Sequence, residues 1–458
     1  MRSYDQNILV CVIALLGVQA GLLAWSATHN SPTLDEPAHL VAGLRHWKYG
    51  AFDVYSVNPP LVHYVAALPV ICAGYIEAEI EPGLNSEPRV EFKLGEDFVR
   101  ANGFRSLWLF TIARWACIPL TLMGGIFGYL WSRELWGNHL AGLITLCFWT
   151  FEPNILAHGQ LITCDVAASA FGLGATYLFW RWLEKPSWGR AFAAGTVTGL
   201  TLLTKTSWVI LLGVWPALWL VWQLLQLRHS QHRSEQEAHS QSGHLFLQLT
   251  TLIIIAICVL NLGYRCDGSF TAVKDFRFVS QSLSGQKTPG MAGNRFSNSW
   301  IGEIPVPFPI PYVLGIDLQK KDFEGSSYES YLRGEWKSGG WLHYYVYGLV
   351  VKTPHGSQAI LLLAIFTWFY LLWQRKSKQV DLDRSPARRD GQDLRSIVVL
   401  LTPPLALLTL VSSQLGFNQH LRYVLPIYGF AYVFAGITTI WFEPFPRRQI
   451  GAREGGGD

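Results

Sequence analysis

Residues 8–40 read ILVCVIALLGVQAGLLAWSATHNSPTLDEPAHL, an apolar run followed closely by two adjacent carboxylates. The run from Ile8 to Trp25 is longer than the roughly 7–15 residues of a signal-peptide core, and the residues before it are only weakly basic. A cleaved signal peptide is the competing interpretation, but the length favours a retained membrane helix. A membrane span followed by a polar segment is therefore the first unit of the predicted fold.

The composition is typical of a protein dissolved in a lipid bilayer. Half of the 458 residues are hydrophobic and 15% are charged, whereas roughly a quarter of the residues in a soluble domain are charged. The 20 tryptophans suit the two interfaces of a membrane. The net charge of +4 is small, so a nucleic-acid partner has little support. The seven cysteines are odd in number and four of them lie in apolar segments, so no disulfide framework is predicted, and the absence of a C-x-x-C pair argues against a cysteine zinc site.

Apolar stretches of roughly 20 residues predict membrane helices along most of the chain. Segment 60–76 is shorter, and we expect an interfacial helix there rather than a span. The predicted fold is an all-α polytopic membrane protein with about ten membrane helices. We place these helices at 7–27, 106–131, 138–152, 165–183, 191–206, 207–226, 245–264, 355–374, 397–413 and 423–442.

The distribution of lysine and arginine predicts how the chain is oriented. Basic residues concentrate in the loops 227–244 and 375–396 and in the C-terminal tail, and cytoplasmic loops are those with such an excess. With about ten spans, these segments share one side with the N-terminus, so we expect both termini in the cytoplasm. The extracytoplasmic side then receives the loops 28–105, 153–164, 265–354 and 414–422.

The two long loops on that side are rich in proline, glycine and aromatic residues, which indicates ordered structure rather than flexible linkers. We accordingly divide the chain into three parts. Residues 1–264 form an N-terminal membrane core that includes loop 28–105, and residues 265–354 form an extracytoplasmic loop region. Residues 355–458 form the C-terminal membrane helices and a cytoplasmic tail.

The motif LDEPAHL places Asp35 and Glu36 next to each other at the start of a predicted helix. One interpretation is a helix start, with Asp35 or Thr33 as the N-cap. The other interpretation is catalysis. The following helix has Leu40, Leu44 and Trp47 on one stripe, so we expect it to lie along the interface with both carboxylates facing the outer leaflet. A carboxylate at that depth is costly unless it has a task or a partner.

Further polar residues flank the predicted extracytoplasmic ends of helices. Asn58 and His63 lie in SVNPPLVHYV, and His158 and Asp165 lie in FEPNILAHGQLITCD. A structural turn, a packed histidine or a helix cap explains each of them without a ligand, but each is also a candidate substrate-binding residue. Glu36, His63 and His158 could bind a divalent cation, although no spacing demands a metal.

Four lone cations lie on the same side of the membrane, against the positive-inside trend. Snorkelling to the interface is the ordinary explanation for any one of them. Together, however, they suit the binding of a phosphate or pyrophosphate near the outer leaflet. These candidate phosphate-binding residues are Arg114, Lys205, Lys352 and Arg422.

With LDEPAHL, NPPL, PNILAHGQLITCD, LLTKTS and HLRYVLP in this order, the chain resembles membrane glycosyltransferases that use a polyprenyl-phosphate sugar donor. This GT-C fold group contains the protein O-mannosyltransferases and the lipid A aminoarabinose transferases. The resemblance implies a GT-C-like fold and transfer of a sugar from the lipid donor to a hydroxyl acceptor. It implies that the reaction takes place at the periplasmic face of a bacterial inner membrane and that the enzyme requires no cofactor.

The same resemblance implies roles for particular residues. Asp35 would be the general base, and Glu36 would orient the acceptor or the sugar. The four cations would hold the donor phosphate, with Arg114 and Arg422 ranked first because their segments look like those of the family. The sequence departs from the aminoarabinose branch at Asn58, where that branch has lysine before proline, and it has no counterpart of the mannosyltransferases' MIR domain.

Two other classes of function compete with a glycosyltransferase. A secondary transporter or lipid flippase would tend to show internal repeats and polar residues near the bilayer midplane. Here no repeat is evident and the polar residues gather towards one face, which favours an enzyme. A scaffold subunit that retains the fold without activity is the third interpretation. The identities of the sugar and the acceptor stay open at the level of sequence.

Overall fold

The computed structural model describes residues 2–77, 89–227, 235–324, 329–377, 394–416 and 418–442. Most of the basic loops and the C-terminal tail that predict the orientation lie outside these ranges. Within them, the chain is predominantly helical, as the sequence predicts.

The N-terminal part of the chain contains eleven α-helices among the described residues. Two of them meet at Glu152, whose side chain accepts a hydrogen bond from the Asn154 amide and so caps the second helix, with Pro153 in its first turn. A 3-10 turn at Thr206–Ile210 leads into the tenth. The helices are α1 (Arg2–His29), α2 (Asp35–Tyr49), α3 (Leu61–Ala73), α4 (Val90–Asn102), α5 (Arg105–Trp136), α6 (His139–Phe151), α7 (Pro153–Gly159), α8 (Asp165–Glu184), α9 (Trp188–Leu202), α10 (Leu211–Leu227) and α11 (Glu235–Gly263).

The remaining part begins with irregular chain that contains short helical turns, and it ends in longer helices. Its described α-helices are α12 (Gln281–Ser284), α13 (Ile310–Glu324), α14 (Tyr344–Lys352), α15 (His355–Ser377), α16 (Leu394–Ser412) and α17 (Pro426–Ala435). Two 3-10 segments, Leu421–Val424 and Gly436–Trp441, flank α17.

Six described helical segments are long and apolar enough to cross a membrane, so the chain is a multi-pass membrane protein. A seventh span is added if α6 and α7, which meet at 59°, are one broken span. Helical structure occupies all ten positions where we expect a span, and the number ten itself stays a prediction. The six segments are Gln6–His29, Arg105–Trp136, Thr206–Gln226, Gly243–Gly263, His355–Gln374 and Leu394–Ser412.

Helices α2, α3 and α4 pack together against α5 and form a compact unit that presents the LDEPAHL motif. Leu40 and Leu44 are buried in this unit, whereas Trp47 is 42% exposed. The expectation that this stripe faces the membrane interface is therefore wrong for Leu40 and Leu44, because α3 and α4 cover them. Gly43 allows the close approach, since a Cβ there would lie 2.2 Å from the carbonyl oxygen of His63.

Tryptophan serves the interior of the protein as well as its surface. The indole of Trp136 donates to the Val433 carbonyl at 2.7 Å, and that of Trp208 donates to the Ala168 carbonyl at 2.9 Å. Such bonds tie helices together while satisfying the ring N–H in an apolar core. The composition suggests that tryptophan lies at the membrane interfaces, but several tryptophans lie in the protein interior instead. The largest fully buried side chains include Trp131, Trp136, Trp149, Trp182, Trp208 and Trp215.

One antiparallel hairpin departs from the predicted all-α fold. Strands β1 (Glu329–Leu332) and β2 (Glu335–Ser338) pair in register across the two-residue turn Arg333–Gly334. Both turn residues have positive φ, at 54° and 90°, as a hairpin turn of type I′ requires. Tyr331 and Trp336 face each other across the strands, which stabilises the pairing.

Candidate active site

A cavity of about 450 Å³ lies where the start of α2, the start of α8, α13 and the 3-10 turn before α17 meet. Five of the residues proposed from sequence line it, and they come from segments far apart in the chain. These residues are Asp35, Asn58, Asp165, Lys205 and Arg422.

Asp35 is ion-paired across the cavity rather than used as a helix cap. The residue before α2 is Leu34, and no side chain caps the helix at that position. The Asp35 Oδ2 atom instead lies 2.6 Å from Nη1 of Arg422, and both side chains are 20% exposed. The helix-cap interpretation of Asp35 is therefore wrong, because its carboxylate faces the cavity and a cation.

Asp165 and Lys205 form a second, more deeply buried ion pair on the same wall. Lys205 Nζ lies 2.6 Å from Asp165 Oδ1 and 4.9 Å from the centre of the Tyr423 ring. Arg422 Nε lies 3.8 Å from the other oxygen of Asp165, which links the two pairs. The result is an alternating row of charges on the cavity wall, in the order Asp35, Arg422, Asp165 and Lys205.

Glu36 and Arg114 form a separate, fully buried pair behind this wall. Their side chains are 0% and 1% exposed, and the guanidinium donates to both Glu36 oxygens, at 2.8 and 2.7 Å. Its remaining N–H groups donate to the carbonyls of Ala27, Asn30 and Ser31, so all five donors are used. The expectation that Glu36 faces the outer leaflet is wrong, because Arg114 ties it to the end of α1.

Asn58 lines the cavity, as expected of a substrate-binding residue, and its Oδ1 accepts a hydrogen bond from the Cys164 thiol at 3.1 Å. His63 is fully buried between two other histidines and does not reach the cavity. His158 lines a separate space of about 10 Å³ with Thr163. Lys352 is exposed, outside the lining. The structure therefore does not bring these last three to the cavity.

Several lining residues have weak sequence signals. Arg89 pairs with Asp322 on α13 at 2.9 Å, but 233 residues separate them. His39 is easier to find in retrospect, because it lies one helical turn after Asp35 and on the same face.

Burial changes the pKa of two further residues of the cavity wall. His420 lies two residues before Arg422, and burial lowers its pKa. Burial also raises the pKa of Asp322.

Within the described ranges, no cluster of three or more histidine, cysteine or carboxylate side chains is arranged to hold a metal ion. Glu36 takes Arg114 while His63 contacts His39 and His46, so the proposed combination with His158 does not converge. The dependence of the protein on a divalent cation stays an untested prediction.

A second, apolar groove of about 200 Å³ adjoins the cavity. The two spaces share Lys205, Gln319, Phe323 and Tyr423 in their walls. The groove and the charged cavity therefore meet at these four residues, of which Lys205 is the only charged one. The apolar residues of the groove include Val209, Ile210, Ile316, Leu410 and Val411.

Comparison with known proteins gives one family match. Residues 108–265, about a third of the chain, match the model of the dolichyl-phosphate-mannose-protein mannosyltransferase family. This match confirms, for that segment, the resemblance to membrane glycosyltransferases that the sequence motifs indicate. No curated protein sequence matches the chain.

Two solved structures align along nearly the whole chain. The crystal structure of ArnT from Cupriavidus metallidurans in the apo state covers 96% of this chain at 13% identity, with a TM-score of 0.48. The structure of ArnT from the same organism bound to undecaprenyl phosphate covers the same share at 12% identity, also with a TM-score of 0.48. The present chain spans 61% of the length of either ArnT chain.

Proposed function

We propose that the protein is a glycosyltransferase that moves a sugar from a polyprenyl-phosphate donor to a hydroxyl acceptor. The observation that supports this most directly is the cavity in which the Asp35 carboxylate faces Arg422, with Lys205 on the same wall. Displacing a phosphate from an anomeric carbon needs a base near the attacking hydroxyl and positive charge near the leaving oxygen. The cavity offers both within one small volume.

In the proposed reaction, the acceptor oxygen bonds to the anomeric carbon while the bond from that carbon to the phosphate oxygen breaks. The acceptor proton passes to the carboxylate of Asp35, and the electron pair of the breaking bond stays on the phosphate. Arg422 and Lys205 stabilise that phosphate. A single displacement with one carboxylate and no covalent intermediate inverts the anomeric centre.

Asn58 and Asp165 keep their proposed roles as residues of the substrate cavity, and Asp165 also orients Lys205 through their ion pair. Glu36 supports the site by fixing the start of α2 against α1 and α5 through Arg114. The apolar groove beside Lys205 suits the first isoprene units of the donor, because its wall is continuous with the phosphate-binding wall.

The proposed location is the extracytoplasmic face of a bacterial inner membrane, with both termini in the cytoplasm. The cavity is built largely from the segments that the distribution of basic residues assigns to that face. A sugar lipid in the outer leaflet would reach the cavity from the side of the groove. The match of residues 108–265 to the dolichyl-phosphate-mannose-protein mannosyltransferase family supports a polyprenyl-phosphate donor.

The test is sugar transfer by the purified full-length protein in detergent. The donors are radiolabelled polyprenyl-phosphate sugars that differ in the sugar they carry and are tested one at a time. A bacterial membrane extract supplies the acceptors. We expect Asp35→Asn to reduce the rate about 10²–10⁴-fold, as removal of a general base does. Asp53→Asn is the matched control, because Asp53 is an exposed aspartate that pairs with Arg45 outside the cavity.

Equal transfer by the wild type and Asp35→Asn would remove Asp35 from its role as the base. Absence of transfer from every donor by the wild-type protein would contradict the glycosyltransferase assignment and favour a transporter or flippase.

A further inference from the structure

Three buried histidines form a hydrogen-bonded chain that leads from the interior of the α2–α3 unit to the cavity. His39 Nδ1 lies 2.8 Å from His63 Nε2, and His63 Nδ1 lies 3.2 Å from His46 Nε2. At the far end, His46 Nδ1 lies 2.7 Å from the carbonyl oxygen of Ala51. The exposed fractions of the three histidines are 3%, 0% and 3%. His39 alone lines the cavity.

The Ala51 carbonyl determines where every proton in this chain lies. A carbonyl only accepts hydrogen bonds, so His46 must hold its proton on Nδ1 and, when neutral, accepts at Nε2. His63 must then donate from Nδ1 and accept at Nε2. His39 in turn must donate from Nδ1. Its Nε2 is left without a proton, and that nitrogen is the one that remains for the cavity.

The argument requires neutral imidazoles, and their surroundings favour the neutral form. Burial lowers the pKa of His39 to about 4, and it lowers the pKa of His46 to about 4 as well. Burial, with the neighbouring imidazoles of His39 and His46, also holds the pKa of His63 well below its usual value. Three neutral rings satisfy every hydrogen bond in the chain.

The chain also ends in a way that excludes a proton wire. A proton passed inward from His39 would arrive at His46, whose outer nitrogen faces a backbone carbonyl that cannot pass it on. The arrangement therefore orients a ring and fixes its tautomer, in the manner of outer-shell partners that fix a functional histidine.

We propose that His39 recognises a carbohydrate hydroxyl through its unprotonated Nε2, and that His63 and His46 are positioning residues that fix this tautomer. The inference rests on the proposed function for the identity of the ligand. A neutral imidazole nitrogen accepts a hydrogen bond from a hydroxyl, whereas it offers nothing to a phosphate oxygen, which is itself an acceptor. The phosphate half of the donor is thus left to Arg422 and Lys205, and the sugar or the acceptor hydroxyl is read by His39.

The first experiment needs no substrate and no catalytic activity. Nitrogen NMR of the full-length protein in lipid nanodiscs, with isotopically labelled histidine, reports which ring nitrogen holds the proton. We expect an unprotonated Nε2 and a protonated Nδ1 at His39. In His63→Phe, the signals of His39 should change to those of mixed tautomers, while His343→Phe, which alters an exposed histidine, should leave them unchanged. A protonated Nε2 in the wild-type protein would overturn the proposal.

The second experiment compares ligands with and without hydroxyl groups. His39→Phe should bind polyprenyl phosphate as the wild type does, and should bind the sugar-bearing polyprenyl phosphate roughly tenfold more weakly, if the donor sugar supplies the hydroxyl. If the acceptor supplies it, donor binding is unchanged and the KM for the acceptor extract rises instead. A variant unchanged in both, with a normal thermal unfolding profile, would refute recognition by His39 even if sugar transfer itself is established.

Discussion

Asp35 and Glu36 are neighbours in sequence but have different surroundings, because successive residues of a helix point about 100° apart. One carboxylate faces a cavity and an accessible arginine, and the other is enclosed with Arg114. The motif and its neighbours predict Asp35 and Arg422 as partners of one site. The helical angle alone could have predicted that both acids do not face the same ligand. The identity of the cation behind Glu36, 78 residues away, is a result of packing and has no local signal.

Arg114 is therefore expected to act on stability rather than on donor binding. Arg114→Gln leaves the Glu36 carboxylate buried without its cation, and breaking such a pair costs about 3–5 kcal/mol in the free energy of unfolding. The measurement is thermal unfolding in detergent, with Arg100→Gln as the control, since the Arg100 side chain is 68% exposed. A stable Arg114→Gln variant with weakened binding of polyprenyl phosphate would restore the phosphate-binding role that the sequence suggests.

At the scale of elements, the length of the apolar runs predicts where the helices lie, but it does not predict how they pack. The positions of all ten expected spans contain helical segments, because hydrophobic runs and helix-breaking residues are read locally. The burial of α2 is a tertiary effect. Its apolar stripe is equally suited to lipid and to protein, and only the positions of α3 and α4 decide which covers it. The hairpin at 329–338 was missed because four-residue strands give a weak periodic signal.

Gly43 is the position where the packing of α2 on α3 is most sensitive to a single methyl group. In Gly43→Ala, the new Cβ would lie 2.2 Å from the His63 carbonyl oxygen and 2.9 Å from the Cβ of Ala67, so the helices must separate. We expect a loss of about 1–3 kcal/mol in the free energy of unfolding. Sugar transfer should also fall, because Asp35 is on the displaced helix.

The control for this change is Gly17→Ala in α1, where no atom lies within 4 Å of the new methyl group. Thermal unfolding and sugar transfer are measured for both variants. Equal behaviour of the two would mean that α2 and α3 can move apart without cost to the site.

At the scale of the whole molecule, the described chain is a set of packed helices, and its charged cavity is lined mainly by residues at helix ends and in the segments between helices. Hydropathy and the distribution of basic residues predict this arrangement, since both are properties of whole segments. The salt bridge between Arg89 and Asp322, which joins the two long loops across the cavity, could not be predicted. In the sequence, Arg89 and Asp322 cannot be told apart from ordinary surface charges, and only the fold brings them together.

The predicted orientation has a direct test in a chain with Cys72→Ser and Cys266→Ser, which removes two exposed thiols. We expect Lys287→Cys to react with a membrane-impermeant thiol reagent added outside intact cells, because 265–354 is assigned to the extracytoplasmic side. Asp381→Cys, in a basic loop outside the described residues, should react only after the cells are opened. The reverse pattern would place the cavity in the cytoplasm.

The cavity wall holds equal numbers of opposite charges among its described residues, and this balance affects the thermodynamics of ligand binding. The charges are those of Asp35, Asp165 and Asp322 against Arg89, Lys205 and Arg422. A phosphodiester that enters adds a negative charge to a site that is already neutral, and an uncompensated charge in partly buried surroundings is costly. We therefore expect binding of such a ligand to be linked to the uptake of a proton or a cation from solution. The affinity for an anionic lipid would accordingly vary with pH or with the cation in the buffer, and not only with the length of its hydrocarbon chain.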